Sequence, residues 1–66
     1  MMEDTDNQYS VRIWYISGAF ERITDCPTMG WAVLYYKQAL QDERVAAVEI
    51  HNPDGKKHVG WTRPGT

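Results

Sequence analysis

The sequence predicts an α+β fold: a small ββαββ two-layer sandwich, with one helix packed on one face of an antiparallel sheet. Three observations carry that expectation. The run Val11-Arg12-Ile13-Trp14-Tyr15-Ile16 is β-branched and aromatic, as strands are. Apolar residues then recur at steps of three and four after Pro27, as on a helix face. Last, Asn52-Pro53-Asp54-Gly55 is a strong turn signal between two short strand-like segments.

Taken in order, residues 1–8 lack apolar periodicity and carry Glu3, Asp4 and Asp6, so they read as a flexible acidic leader before a single domain over 9–66. The first strand should end at a two-residue turn, Ser17-Gly18 or Gly18-Ala19, and return through Phe20-Glu21-Arg22-Ile23. Pro27 suits the first turn of a helix, which puts Asp25 or Cys26 near the cap and runs the helix to about Asp42. Met29, Ala32, Val33, Tyr36, Ala39 and Leu40 form its sheet-facing stripe, while Trp31, Leu34 and Tyr35 flank or leave it. Val45 to His51 is the third strand and Lys57 to Arg63 the fourth, stopped by Pro64-Gly65.

Strand alternation divides these residues between two faces. Either placement of the first turn puts Val11, Ile13, Tyr15 and Phe20 on one side. Arg12, Trp14, Ile16, Ala19, Glu21 and Ile23 fall on the other. For the second hairpin two registers are open. A three-residue loop with a type I turn and a bulge suits Pro53-Asp54-Gly55 and pairs Asn52 with Lys56. Carried along the strands, that register sets Ile50 beside His58 and Val48 beside Gly60, where the glycine would admit the helix closely. It also sends Val59 and Trp61 to the face away from the helix. A four-residue loop instead pairs His51 with Lys56 and puts Val59 and Trp61 with Val48 and Ile50. The first register is favoured. Trp14, Ile16, Ile23, Val59 and Trp61 then share an open face rimmed by Arg12, Glu21, Glu49, His51, Lys57 and Arg63.

Composition narrows the function classes. At 66 residues there is room for one core, and dimerisation is the most available source of extra stability. Cys26 is the only cysteine, so no internal disulfide can form, and a reducing, cytoplasmic setting is expected. Seven Lys and Arg against nine Asp and Glu, a net charge of −2, is no footprint for general duplex binding. No apolar run is long enough for a membrane span.

The motifs of common chemistry are missing. There is no phosphate-binding glycine loop, dinucleotide fingerprint or nucleophile elbow, and no enzyme or cofactor is expected. Cys26 lies near a helix start, where a dipole favours thiolate, but neither histidine is placed beside it as a base; it reads as a structural cysteine. Glu49, His51 and His58 converge only in the four-residue-loop register, and no metal site is expected.

What remains is surface. Trp and Arg anchor protein interfaces, so the expected function is a non-catalytic protein-binding module, of the kind a phage or mobile element uses to occlude a surface of a host protein. Its expected contact residues are Arg12, Trp14, Ile16, Trp61 and Arg63, with Trp31 and Tyr35 on the helix as a second candidate surface. The alternative is single-stranded nucleic-acid binding by Lys56, Lys57, His58, Trp61 and Arg63, which interleave cations and aromatics along one hairpin. The third reading is a structural homodimer that covers the open face with a copy of itself.

Overall fold

The computed structural model describes residues 8–65 and has the expected ββαββ layout. Strands β1 (Tyr9–Tyr15) and β2 (Phe20–Cys26) are followed by helix α1 (Met29–Leu40), then by β3 (Val45–His51) and β4 (Lys57–Thr62). One antiparallel sheet has the order β2-β1-β3-β4, so the two hairpins lie side by side through their first strands. The helix crosses β1 and β3 and touches β2, leaving β4 outside its reach. The proposed leader falls almost wholly on residues 1–7, outside the described residues.

The core follows from alternation. Val11 and Ile13 of β1 stand opposite Ile50 and Val48 of β3, and Ala32 and Ala39 of the helix lie against them. Small residues at those helix positions let its backbone approach the sheet. With Val45 and Cys26 these side chains are all buried. Tyr35 packs on the β2 side of the helix beside Ile13, Ile23 and Glu21. Met29, Val33, Tyr36 and Leu40 occupy the opposite flank of the helix and are half-buried against the core.

The helix starts later than expected. Thr28, extended at φ −133°, is the N-cap, and its Oγ1 accepts from the amide of Trp31 at 3.2 Å; Pro27 lies before it. Cys26 therefore closes β2 rather than opening the helix. The threonine hydroxyl thereby satisfies one of the first-turn amides that have no partner within the helix.

The first hairpin corrects the expected faces. Its loop has three residues, Ile16-Ser17-Gly18: Gly18 N–H donates to Tyr15 O and Tyr15 N–H to Ala19 O, both at 2.9 Å. Gly18 takes φ +99°, which only glycine adopts at little cost, so the loop is a type I turn closed by a glycine bulge. One residue more than the two-residue turn moves β2 by one position, and its side chains from Phe20 to Ile23 change sides. Trp14 pairs with Phe20, Arg12 with Arg22, Ile13 with Glu21 and Val11 with Ile23. Phe20 and Arg22 therefore lie on the open face, and Glu21 and Ile23 on the helix side.

The second hairpin has the same loop, as expected: Gly55 N–H donates to Asn52 O and Asn52 N–H to Lys56 O, both at 2.8 Å, with Gly55 at φ +90°. The expected register nevertheless fails beyond it. His51 pairs with Lys57, but Ile50 pairs with Val59, Glu49 with Gly60 and Val48 with Trp61. A bulge at His58 absorbs one residue and turns Val59 and Trp61 to the helix side, where they extend the apolar surface of Val48 and Ile50. Gly60 consequently faces away from the helix. A Cβ there would meet Glu49 Cγ at 3.3 Å and Lys57 Cδ at 3.5 Å, so the glycine makes room for those two side chains.

Candidate functional site

Alternation and three register shifts leave one broad surface that the helix does not cover. Ser10, Arg12 and Trp14 run along its central strand β1. Phe20 and Arg22 flank them on β2, Ala47, Glu49 and His51 on β3, and Lys57, Gly60 and Thr62 on β4.

Two aromatics form its apolar part. The rings of Trp14 and Phe20 are 5.3 Å apart, tilted by 45°, and Phe20 is 51% exposed. Such tilted pairs are favourable, yet a phenylalanine this exposed leaves much of its ring in water. Two residues along both strands, Arg12 stands directly opposite Arg22. Like charges facing each other across an antiparallel pair destabilise it. Neither arginine has an ion-pair or hydrogen-bond partner among the described residues, and Arg12 Nε is buried without an acceptor.

Glu49, Arg12's other cross-strand neighbour, could have neutralised it but is engaged elsewhere. Its Oε1 lies 2.8 Å from His51 Nε2, while His51 Nδ1 lies 3.2 Å from the carbonyl oxygen of Gly55. His51 is buried against its own hairpin loop by these contacts. Among the described residues, Arg12, Arg22 and Lys57 thus share the face with Glu49 as its one acidic side chain, and Asp25 reaches its rim beside Arg22. A protein of net charge −2 concentrates positive charge here.

The expected contact residues do not assemble on one side. Arg12 and Trp14 lie on the open face, but Ile16 is at the tip of the first loop, 59% exposed. Trp61 and Arg63 belong to the helix side. Arg63 stands 5.3 Å over the Trp61 ring, donating from Nε to Val45 O at 2.7 Å and from Nη2 to Asp42 O at 2.8 Å. It ties the end of the chain to the start of β3. Of the set considered for nucleic acid, Lys57 alone lies on the open face; Lys56 is in the turn, where its amide donates to Asp54 Oδ1, and His58 is the exposed bulge residue. On the helix, Trp31 is exposed while Tyr35 packs at the sheet, so the outward apolar pair there is Trp31 with Leu34.

Two further polar pairs, Tyr15 with Glu21 and Asp42 with Arg44, are structural. Tyr15 donates to Glu21 Oε1 at 2.8 Å, which with burial lifts its phenol above the usual range. Arg44 holds the Asp42 carboxyl below its ordinary value through hydrogen bonds at 3.1 and 3.0 Å. Burial, helped by the charge of Asp25, pushes the Cys26 thiol up, away from the thiolate a nucleophile needs. A hollow of about 590 Å³ is lined by Tyr15, Ile16, Ser17, Ala19, Glu43 and Arg44. No three His, Cys, Asp or Glu side chains among the described residues are grouped to hold a metal, and no described helix is long and apolar enough to cross a membrane.

No protein-family model, curated protein or solved structure matches this chain. Phe20 and Arg22 are the site residues that sequence reasoning missed. The signal for them was present: Ile16-Ser17-Gly18 has glycine third, as Pro53-Asp54-Gly55 does, and reading it as the same loop puts Phe20 opposite Trp14.

Proposed function

We propose that this protein is a small non-catalytic binding module that presents the helix-free face of its sheet to another macromolecule. The observation that carries the reading is the juxtaposition, on that face, of the Trp14–Phe20 pair with Arg12 opposite Arg22. Exposed aromatic surface and unneutralised like charges cost the fold, and such local violations mark surfaces kept for contact. A small inhibitor that covers a surface of a larger protein, as phage or mobile-element proteins do, would act in this way, with Trp14 and Arg12 as anchors. A reducing, cytoplasmic setting belongs to the same proposal and is supported by the single, buried, free thiol.

The test compares wild type with Phe20→Ala, Trp14→Ala and Arg22→Thr by circular dichroism, thermal melting and solution mass. A monomer whose variants all keep the native spectrum, with Arg22→Thr melting no lower than wild type, supports the reading. A wild-type dimer that these substitutions dissociate, or a Phe20→Ala chain that no longer folds, makes the face structural and overturns it.

A further inference from the structure

We infer that the ligand of this face is single-stranded nucleic acid, its bases stacked on Phe20 and Trp14 and its phosphates held by Arg12, Arg22 and Lys57. The inference rests on the binding-module reading and adds the chemistry of the partner. Three features of the face select a polyanion that also carries flat apolar groups.

The first is charge. Among the described residues, Arg12, Arg22 and Lys57 share the face with Glu49, whose Oε1 is bonded by His51, and with Asp25 only at its rim. Arg12 and Arg22 repel each other until an anion lies between them, so a bound phosphate removes a cost that the free protein carries. Arg12 Nε, buried without an acceptor, belongs to the same incomplete arrangement. The second is the aromatic pair. A base of any identity has a π-face that can lie on an exposed ring, and Phe20 leaves about half of its surface to solvent. The third is spacing. The arginine pair is two residues along the strands from the aromatic pair, about 7 Å, which one nucleotide spans when its base rests on a ring.

The form of the ligand follows from the shape of the surface. An open sheet face has no helix or ribbon to enter a major groove, and bases inside a duplex cannot reach Phe20. The net charge of −2 also gives no long-range attraction to duplex phosphates, whereas a single strand can bend its bases onto the rings. Glu21 does not oppose these cations, since it faces the helix side and is bonded by Tyr15, and Glu49 is bonded by His51.

The experiment titrates full-length protein into a fluorescently labelled oligothymidylate and a labelled oligouridylate, reading anisotropy at several salt concentrations. Duplex DNA and inorganic polyphosphate serve as competitors. Binding should weaken with salt along a log–log slope of about −2, from three phosphate contacts at roughly 0.7 each. Phe20→Ala should weaken it about tenfold, the loss of one stacked base, and Arg22→Thr should flatten the slope by about 0.7. Trp31→Ala, on the helix, should bind as wild type does. Competition by polyphosphate as effective as by single strands, or unchanged binding by both Phe20→Ala and Arg22→Thr, overturns the assignment. No binding by a folded monomer overturns it too, while leaving the face open to a protein partner. Unfolding of Phe20→Ala or burial of the face in a dimer would instead remove the binding-module reading beneath it.

Discussion

The two faces of this sheet obey different rules. On the helix side, Val11, Ile13, Val48 and Ile50 meet Ala32 and Ala39, and two charged groups at the margin are held by hydrogen bonds: Glu21 accepts from Tyr15, and Arg63 donates to two backbone carbonyls. On the other side, two arginines oppose each other and a phenylalanine is half exposed. The same backbone alternation generates both. The contrast teaches that one side is arranged for stability, whereas the other carries groups whose arrangement opposes it, and the proposed function rests on that difference.

Breaking the covered face should have the largest effect. Ile50→Ala removes a side chain that is 1% exposed and should cost about 2–5 kcal/mol in denaturant unfolding, whereas Phe20→Ala should cost about 1 kcal/mol for its half-buried ring. Equal losses at the two positions would erase the distinction between the faces.

The division of residues between faces depends on the loops, so strain there comes next. Gly18→Ala and Gly55→Ala each force a Cβ into a left-handed conformation and should cost about 1–2 kcal/mol, although neither Cβ would meet a neighbour. A loss at Gly55 but none at Gly18 would mean that the first loop takes another form, and that Phe20 is not opposite Trp14.

Arg22→Thr should go the other way. It replaces a repelling cross-strand pair by a β-favouring residue and should stabilise the fold by about 0.2–1 kcal/mol, more at low salt than at high salt. A clear loss of stability would show that Arg22 serves the fold.

The smallest contrast concerns alkaline pH. Because burial raises the Cys26 thiol pKa in the folded state, its contribution is fully present below the unfolded thiol's pKa and declines as pH rises toward and through the folded value. The denaturant midpoint of wild type should therefore fall relative to Cys26→Ala as pH rises from neutral through the thiol range. Tyr15 is raised in the same direction, so the comparison is made in a Tyr15→Phe background. Midpoints that change in parallel would indicate a thiol open to solvent, against its place in the core.

Much of the architecture was legible because local signals agree. The valine- and isoleucine-rich runs, the three-four periodicity of Met29, Ala32, Val33 and Tyr36, and the turn at Pro53-Asp54-Gly55 each specify an element within a few residues. The site was only partly legible. Arg12 and Trp14 were placed correctly, since β1 is central and its alternation is undisturbed. Phe20 and Arg22 were not, because a single residue in the first loop decides their side. Trp61 and Arg63 were misplaced because of the bulge at His58, for which the sequence carries no glycine or other local mark.

The sequence by itself determined the elements, their order and the loop that closes the second hairpin, all of which depend on interactions among neighbours in the chain. Only the tertiary structure decided which side chains share a face. A bulge after Lys57 costs one unpaired residue, but it turns Val59 and Trp61 toward the apolar surface of Val48 and Ile50, and that gain exists only once β4 lies beside β3 on a sheet already covered by the helix. Register is chosen by burial across strands, and burial is not a property of any short stretch of sequence.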